Sequence, residues 1–322
     1  MAAKAWGTHP KTVDEIFFQN EAVSLCLLIN RRARTMRVVD FRAGATNAKR
    51  LFVLTLAQRE GVEKAYTLVE RDEVANWVKL GFAKEGNIPG FYKRSDAFLL
   101  GCAVPPPGRG RAIEPSIEED VPSQSETRLT VAEPAAPIAP VPMTAAQVVM
   151  ERTIVTAKKH LKDFDKTVPV AKVTPVTEGE SRKAVAAALR SGRALTAFEP
   201  FGRDAVRRYF VATARGGFEL HASTETQACF GNAYLELLQA PRTEAEKLAT
   251  IGALKAFCDR LLGEDVVSCF SLTPSDDLAM ATAFLRNGFR RTGLLLEHLV
   301  IGGERKDAIL WSRKFANPSD EP

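Results

Sequence analysis

The chain has 322 residues, 45% of them hydrophobic and 26% charged, with a formal net charge of +5. That is enough chain for two domains of roughly 130 to 150 residues, each with a buried core, and it excludes a wholly disordered or fibrous protein. The small positive excess is not gathered into a basic run, which argues against a nucleic-acid partner, and no segment approaches the roughly 18 uninterrupted apolar residues of a membrane-spanning helix.

Five cysteines, odd in number and without C-x-x-C spacing, sit mostly in apolar runs such as Ser24-Leu25-Cys26-Leu27-Leu28. Such placement is that of small core residues in a reducing compartment. The N-terminal Met-Ala-Ala-Lys-Ala-Trp-Gly-Thr lacks the apolar core of a secretory signal, so a cytoplasmic location is expected.

In chain order, Ala22 to Ile29 is an apolar run and Thr35 to Phe41 alternates with β-branched residues, which predicts two paired strands. Thr46-Asn47 offers an N-cap to a helix over 48–60 that Gly61 ends. A strand over 64–69, a helix over 72–80 closed by Gly81, and a hairpin ending in Ala97-Phe98-Leu99-Leu100 follow. Half of the 18 prolines then fall between Pro105 and Pro142, where there is no aromatic residue. Fixed φ, missing donors and low hydrophobicity prevent a core there, so residues 104–142 are expected to be an extended, disordered linker between domains over 1–103 and 143–322.

Beyond it, Ala145 to Phe164 has helical periodicity, Ala171 to Val176 reads as a strand, and Glu178 to Ser191 reads as a helix ending at Gly192. Strands over 208–213, 218–222 and 233–238 lead into a long helix over 243–262. A strand over 266–272, a helix over 278–287 and a hairpin of 294–301 and 307–314 complete the pattern. Basic pairs such as Arg207-Arg208 read either as solvated strand ends or as partners of an anionic ligand.

Two segments carry the same punctuation: Trp77-Val-Lys-Leu-Gly81-Phe82-Ala-Lys-Glu-Gly86 and Phe284-Leu-Arg-Asn-Gly288-Phe289-Arg-Arg-Thr-Gly293. Each runs into a hairpin whose second strand follows an Asp, in Ser95-Asp96-Ala97-Phe98-Leu99 and in Lys306-Asp307-Ala308-Ile309-Leu310. A helix closed by Gly-Phe, then an apolar hairpin, resembles the C-terminal half of the Gcn5-related N-acetyltransferases (GNAT). The resemblance covers 20–103 as a shortened copy and 168–316 as a nearly full one. It implies an α/β (α+β) fold of two GNAT-like domains, each a mixed, mostly antiparallel sheet flanked by helices.

The resemblance also implies acetyl-CoA or another acyl-CoA as cofactor, no metal, and a small-molecule or protein amine as acceptor. In the family a Q/R-x-x-G-x-G/A loop cradles the pyrophosphate at a helix N-terminus, where glycine lets the backbone approach. The second copy reads Gln239-Ala240-Pro241-Arg242-Thr243-Glu244-Ala245-Glu246, without glycine, so Pro241, Arg242 and Thr243 are its candidate contacts. In the first copy, Arg42, Ala45, Thr46 and Asn47 are the corresponding candidates, with Lys49 beside them, and plain N-capping is the alternative use of Thr46.

The family's leaving-group acid, a Tyr four residues before Gly-Phe, is replaced by Trp77 and Phe284. Glu236 matches the position of a general base on the central strand, with an outward-facing strand carboxylate as the alternative; Tyr234 is the neighbouring candidate. Two functions remain open at this stage. One is an acyl-CoA-dependent N-acyltransferase, and the other is a catalytically eroded copy that binds CoA or a protein partner.

Overall fold

The computed structural model describes residues 13–21, 23–42, 44–92, 94–106, 142–162, 167–227 and 230–315. The first half holds strands β1 (Val13–Gln19), β2 (Ser24–Asn30) and β3 (Thr35–Asp40), helix α1 (Asn47–Arg59), β4 (Lys64–Val69), helix α2 (Val74–Lys79), β5 (Ala83–Ile88) and β6 (Ala97–Ala103). The second half opens with α3 (Ala145–Lys162), β7 (Ala171–Val176), α4 (Glu178–Arg190), β8 (Val206–Ala214), β9 (Phe218–Gln227) and β10 (Asn232–Leu237). It closes with α5 (Glu244–Leu262), β11 (Ser268–Pro274), α6 (Leu278–Arg286), β12 (Arg290–Ile301) and β13 (Glu304–Lys314). The linker expected over 104–142 lies almost wholly outside the described residues.

All these strands form one sheet, in the order β1-β2-β3-β4-β6-β5-β12-β13-β11-β10-β9-β8-β7. Neighbours run antiparallel except for β3 with β4 and β10 with β11. Read outward from the β5/β12 contact, the two sides repeat each other: a hairpin, then a strand, then its parallel partner reached through a helix. The pivot is the pairing of Gly86 with Gly293, the glycines that end the repeated sequence pattern. A Cβ on Gly86 would stand 2.9 Å from the Gly293 Cα, and one on Gly293 2.6 Å from the Gly86 Cα. Only glycine lets the two backbones meet at that distance.

Period-2 alternation divides the core between the faces of this sheet. Ala233, Leu235 and Leu237 of β10 pack with Leu254, Phe257 and Phe284 from α5 and α6. In the first half, Leu27, Met36, Val38 and Ala65 pack with Val53 and Leu56 of α1. The opposite face at the seam carries a third cluster drawn from both halves, including Tyr66, Phe91, Phe201, Tyr234, Phe270 and Leu310.

Several elements differ from the sequence-based expectation. β1 has no counterpart there. The helix expected over 72–80 begins as a 3-10 turn over Arg71–Glu73, with α2 proper starting at Val74. β9 runs on to Gln227 through a polar end in which Ser223, Thr224 and Glu225 are all buried and Ser223 and Glu225 are hydrogen-bonded, a pattern hydrophobic periodicity does not detect.

Candidate functional site

Strands β10 and β11 pair in register only at Asn232 with Ser268, Ala233 with Cys269 and Tyr234 with Phe270. Beyond that point they part. On the seam face there lies a cavity of about 370 Å³ that both halves line, with Asn30 and Tyr66 from the first and Glu199, Tyr234, Glu236 and His298 from the second.

Glu236 is buried at the wall of this cavity, not on an outward-facing solvated strand surface. Both its oxygens are committed. Oε1 accepts from the Thr196 hydroxyl at 2.6 Å, and Oε2 accepts from Arg207 at 2.5 Å and Ser223 at 2.8 Å. Arg207 also pairs with Glu225 at 2.6 Å and donates to the Glu199 carbonyl. Burial works against the Arg207 charge, but Glu236 and Glu225 outweigh it and hold its pKa above the ordinary value. The basic pair at 207–208 is therefore split: Arg207, its side chain largely covered, pairs with Glu225 and Glu236, and Arg208 pairs with Glu264.

Tyr234 stacks on Phe270 with ring centroids 5.0 Å apart, and Phe201 lies 4.8 Å from it. Burial raises its pKa well above the ordinary value, and burial pushes Tyr66 up to about 12. Both phenols therefore stay protonated near neutral pH.

Two further groups lie at the cavity, of which Glu199 is not singled out by the sequence. Glu199 receives a hydrogen bond from Asn30 on Oε2, while its buried Oε1 has no partner among the described residues; burial raises its pKa. His298 sits where β12 bulges between Leu295 and Leu299, with Glu297 in the left-handed region at φ 48°. The bulge leaves Leu296 and Glu297 exposed in succession and buries His298, edge-on to Tyr66 at 4.9 Å. Its Nδ1 has no hydrogen-bond partner among the described residues. Burial, then Lys64 and Arg305, hold its pKa well below the usual imidazole value, so the ring is neutral. A bulge that re-aims one side chain has no composition signature to read beforehand.

The proposed phosphate-contacting residues lie away from this cavity, and the chain itself fills both loops. After β10, the backbone N–H groups of Arg242 and Thr243 donate to Glu246 Oε2 at 2.6 and 3.4 Å. Arg193 joins the same oxygen at 2.8 Å, and the Thr243 hydroxyl closes the capping box by accepting from the Glu246 N–H. Pro241 precedes this turn. A carboxylate thus stands where a pyrophosphate would need the loop's donors. After β3, Thr46 caps α1 through the Lys49 N–H. The Lys49 ammonium is buried and donates to Asp40 at 2.5 Å, the Arg42 carbonyl at 2.7 Å and the Gly44 carbonyl at 2.8 Å. Carbonyl groups thus turn inward around a cation, the opposite polarity to a phosphate cradle. Arg42 donates to the carbonyls of Asn20 and Glu21, and Ala45 and Asn47 are exposed. The donors of both loops are thus taken up within the chain, and Thr243 and Glu246 also line a separate cavity of about 860 Å³.

Among the described residues, no group of three His, Cys, Asp or Glu side chains could hold a metal ion, and no helix is long and apolar enough to cross a membrane.

No protein-family model matches the chain, and no curated relative does. Solved structures do. A putative acetyltransferase from Sphaerobacter thermophilus DSM 20745 is 16% identical, over 46% of this chain and 96% of that one, with a TM-score of 0.36. The spermidine N-acetyltransferase from Vibrio cholerae, in complex with CoA and spermine, is 13% identical, over 45% and 95%, at 0.36. The ribosomal-protein-S18-alanine N-acetyltransferase from Escherichia coli is 14% identical, over 48% and 99%, at 0.35.

Proposed function

We propose that this chain is built from two acetyltransferase-like halves and binds an amine in the seam cavity, with N-acyl transfer to that amine as its activity. The observation that carries the reading is the cavity wall where β10 and β11 part. It combines an unpartnered carboxylate oxygen, Glu199 Oε1, with the aromatic residues Tyr66, Phe201 and Tyr234. A carboxylate among aromatic faces suits an ammonium group through a charge-assisted hydrogen bond and cation–π attraction. The repeated topology on either side of Gly86 and Gly293 supports the two-copy reading.

Within this reading Glu199 is better placed than Glu236 to receive a proton from the bound amine. Its raised pKa brings it nearer neutrality, and one of its oxygens is free of partners, whereas both Glu236 oxygens are held. Glu236 then serves as a positioning residue that fixes Arg207, whose second amino group holds the Glu199 backbone. Tyr234 forms the floor with Phe270.

The filled loops favour a second reading, in which the protein binds its ligand without transferring an acyl group. Calorimetry with spermidine as probe, with uncharged butane-1,4-diol as control, tests the shared part. Micromolar to millimolar binding of spermidine, weakened about tenfold or more by Glu199→Gln, is the expected result; no heat in the millimolar range would sink it. Incubation with acetyl-CoA and mass analysis of the amine then separates the two readings.

A further inference from the structure

The two halves do more than share a sheet edge. Side chains of the first half hold the 196–203 segment of the second half over the cavity. Asn30 Nδ2 donates to Glu199, and Arg37 donates to the Phe201 carbonyl while its guanidinium lies 4.8 Å from the centre of the Phe201 ring. Arg203 reaches back to Glu15 at 3.0 Å and to the Phe17 ring at 4.6 Å. In the other direction, buried Asn232 of β10 donates to the Phe91 carbonyl of the first half at 2.8 Å. Tyr66, on β4, closes the cavity between Phe201 and His298, with ring centroids 6.0 and 4.9 Å away.

Resting on the amine reading of this cavity, we infer that the N-terminal half is a working part of the site in the C-terminal half: Asn30 positions Glu199 for an ammonium ligand, and Tyr66 supplies the facing wall. Asn30 occupies Oε2, and Oε1 is buried without a hydrogen-bond partner among the described residues. The charged groups around Glu199 are Arg32 on the β2–β3 turn, which favours its anionic form, Glu236 on β10, which opposes it, and Arg207 on β8, which favours it. Against burial, the Asn30 hydrogen bond is the largest influence keeping the carboxylate ionised. The first half thus sets the charge of a group that lies in the second.

The test is spermidine binding to the full chain, measured by calorimetry from about pH 4 to 8, for the parent protein, Asn30→Ala and Asn30→Asp. Binding weakens as Glu199 takes a proton, so the midpoint of that loss reports its charge. Losing the Asn30 donor in Asn30→Ala moves the midpoint upward, because that hydrogen bond favours the ionised carboxylate, and a second carboxylate in Asn30→Asp moves it further. A thermal melt identifies any variant that has failed to fold, and a carboxyl-carbon NMR titration of Glu199 reads the same coupling without ligand. Superimposable pH profiles for folded variants would overturn the inference. If the parent protein binds no amine at any pH while the Glu199 titration still follows Asn30, the amine reading falls and the inference built on it falls too, leaving only the coupling between the halves.

Discussion

At the scale of single residues, the buried ions at the seam carry the sharpest consequences. Arg207 neutralises two buried carboxylates, so Arg207→Ala leaves Glu225 and Glu236 without their cation. A loss of about 3–5 kcal/mol is expected, readable as a lower urea midpoint, whereas Glu236→Gln keeps hydrogen bonds to Thr196 and Ser223 and should cost less. His298 gives a pH signature. Its pKa is depressed in the folded chain, so the unfolded chain binds a proton that the folded chain does not once the pH falls below the usual imidazole value of about 6.5. Stability attributable to His298 is therefore present above that pH and lost progressively below it. Urea unfolding at two pH values on either side should show the loss in the parent protein and a smaller one in His298→Gln. Glu236 could be picked out in the sequence from its position on an apolar strand, but not its partners: Arg207, Ser223 and Thr196 come from three separate segments.

At the scale of elements, local sequence specified the helices well. Thr46, Thr177 and Thr243 cap α1, α4 and α5 where the sequence places a hydroxyl before a periodic run, and α4 and α5 complete the capping box with Glu180 and Glu246. These motifs act within one turn and need no tertiary partner. Glu246 also draws in Arg193 from beyond α4, so Glu246→Ala removes a cap and an inter-element tie together. A loss of about 1–2 kcal/mol in a denaturant melt is expected. The strand ends were less legible. β9 continues through Ser223, Thr224 and Glu225, of which Ser223 and Glu225 are satisfied by Arg207 and the Phe201 and Gly202 N–H groups.

At the scale of the whole molecule, the seam makes one sheet of two similar halves. Gly86→Ala places a methyl group within 2.9 Å of the Gly293 backbone and within 3.1 Å of the Thr292 carbonyl, neither of which can rotate away. A destabilisation of about 1–3 kcal/mol is expected, because the strands on either side of the cavity shift apart; a denaturant melt checks it. The sequence by itself determined the repeated order of strands and helices, the helix caps and the glycines at the pivot, because each depends on residues close together along the chain. Only the tertiary structure decided that the repeated glycines pair with each other, that Glu246 and Lys49 fill the two loops, and that Asn30, Tyr66, Glu199 and His298 share one cavity. Those side chains lie far apart in sequence, and their burial and charge are set by which faces of the two halves are brought together.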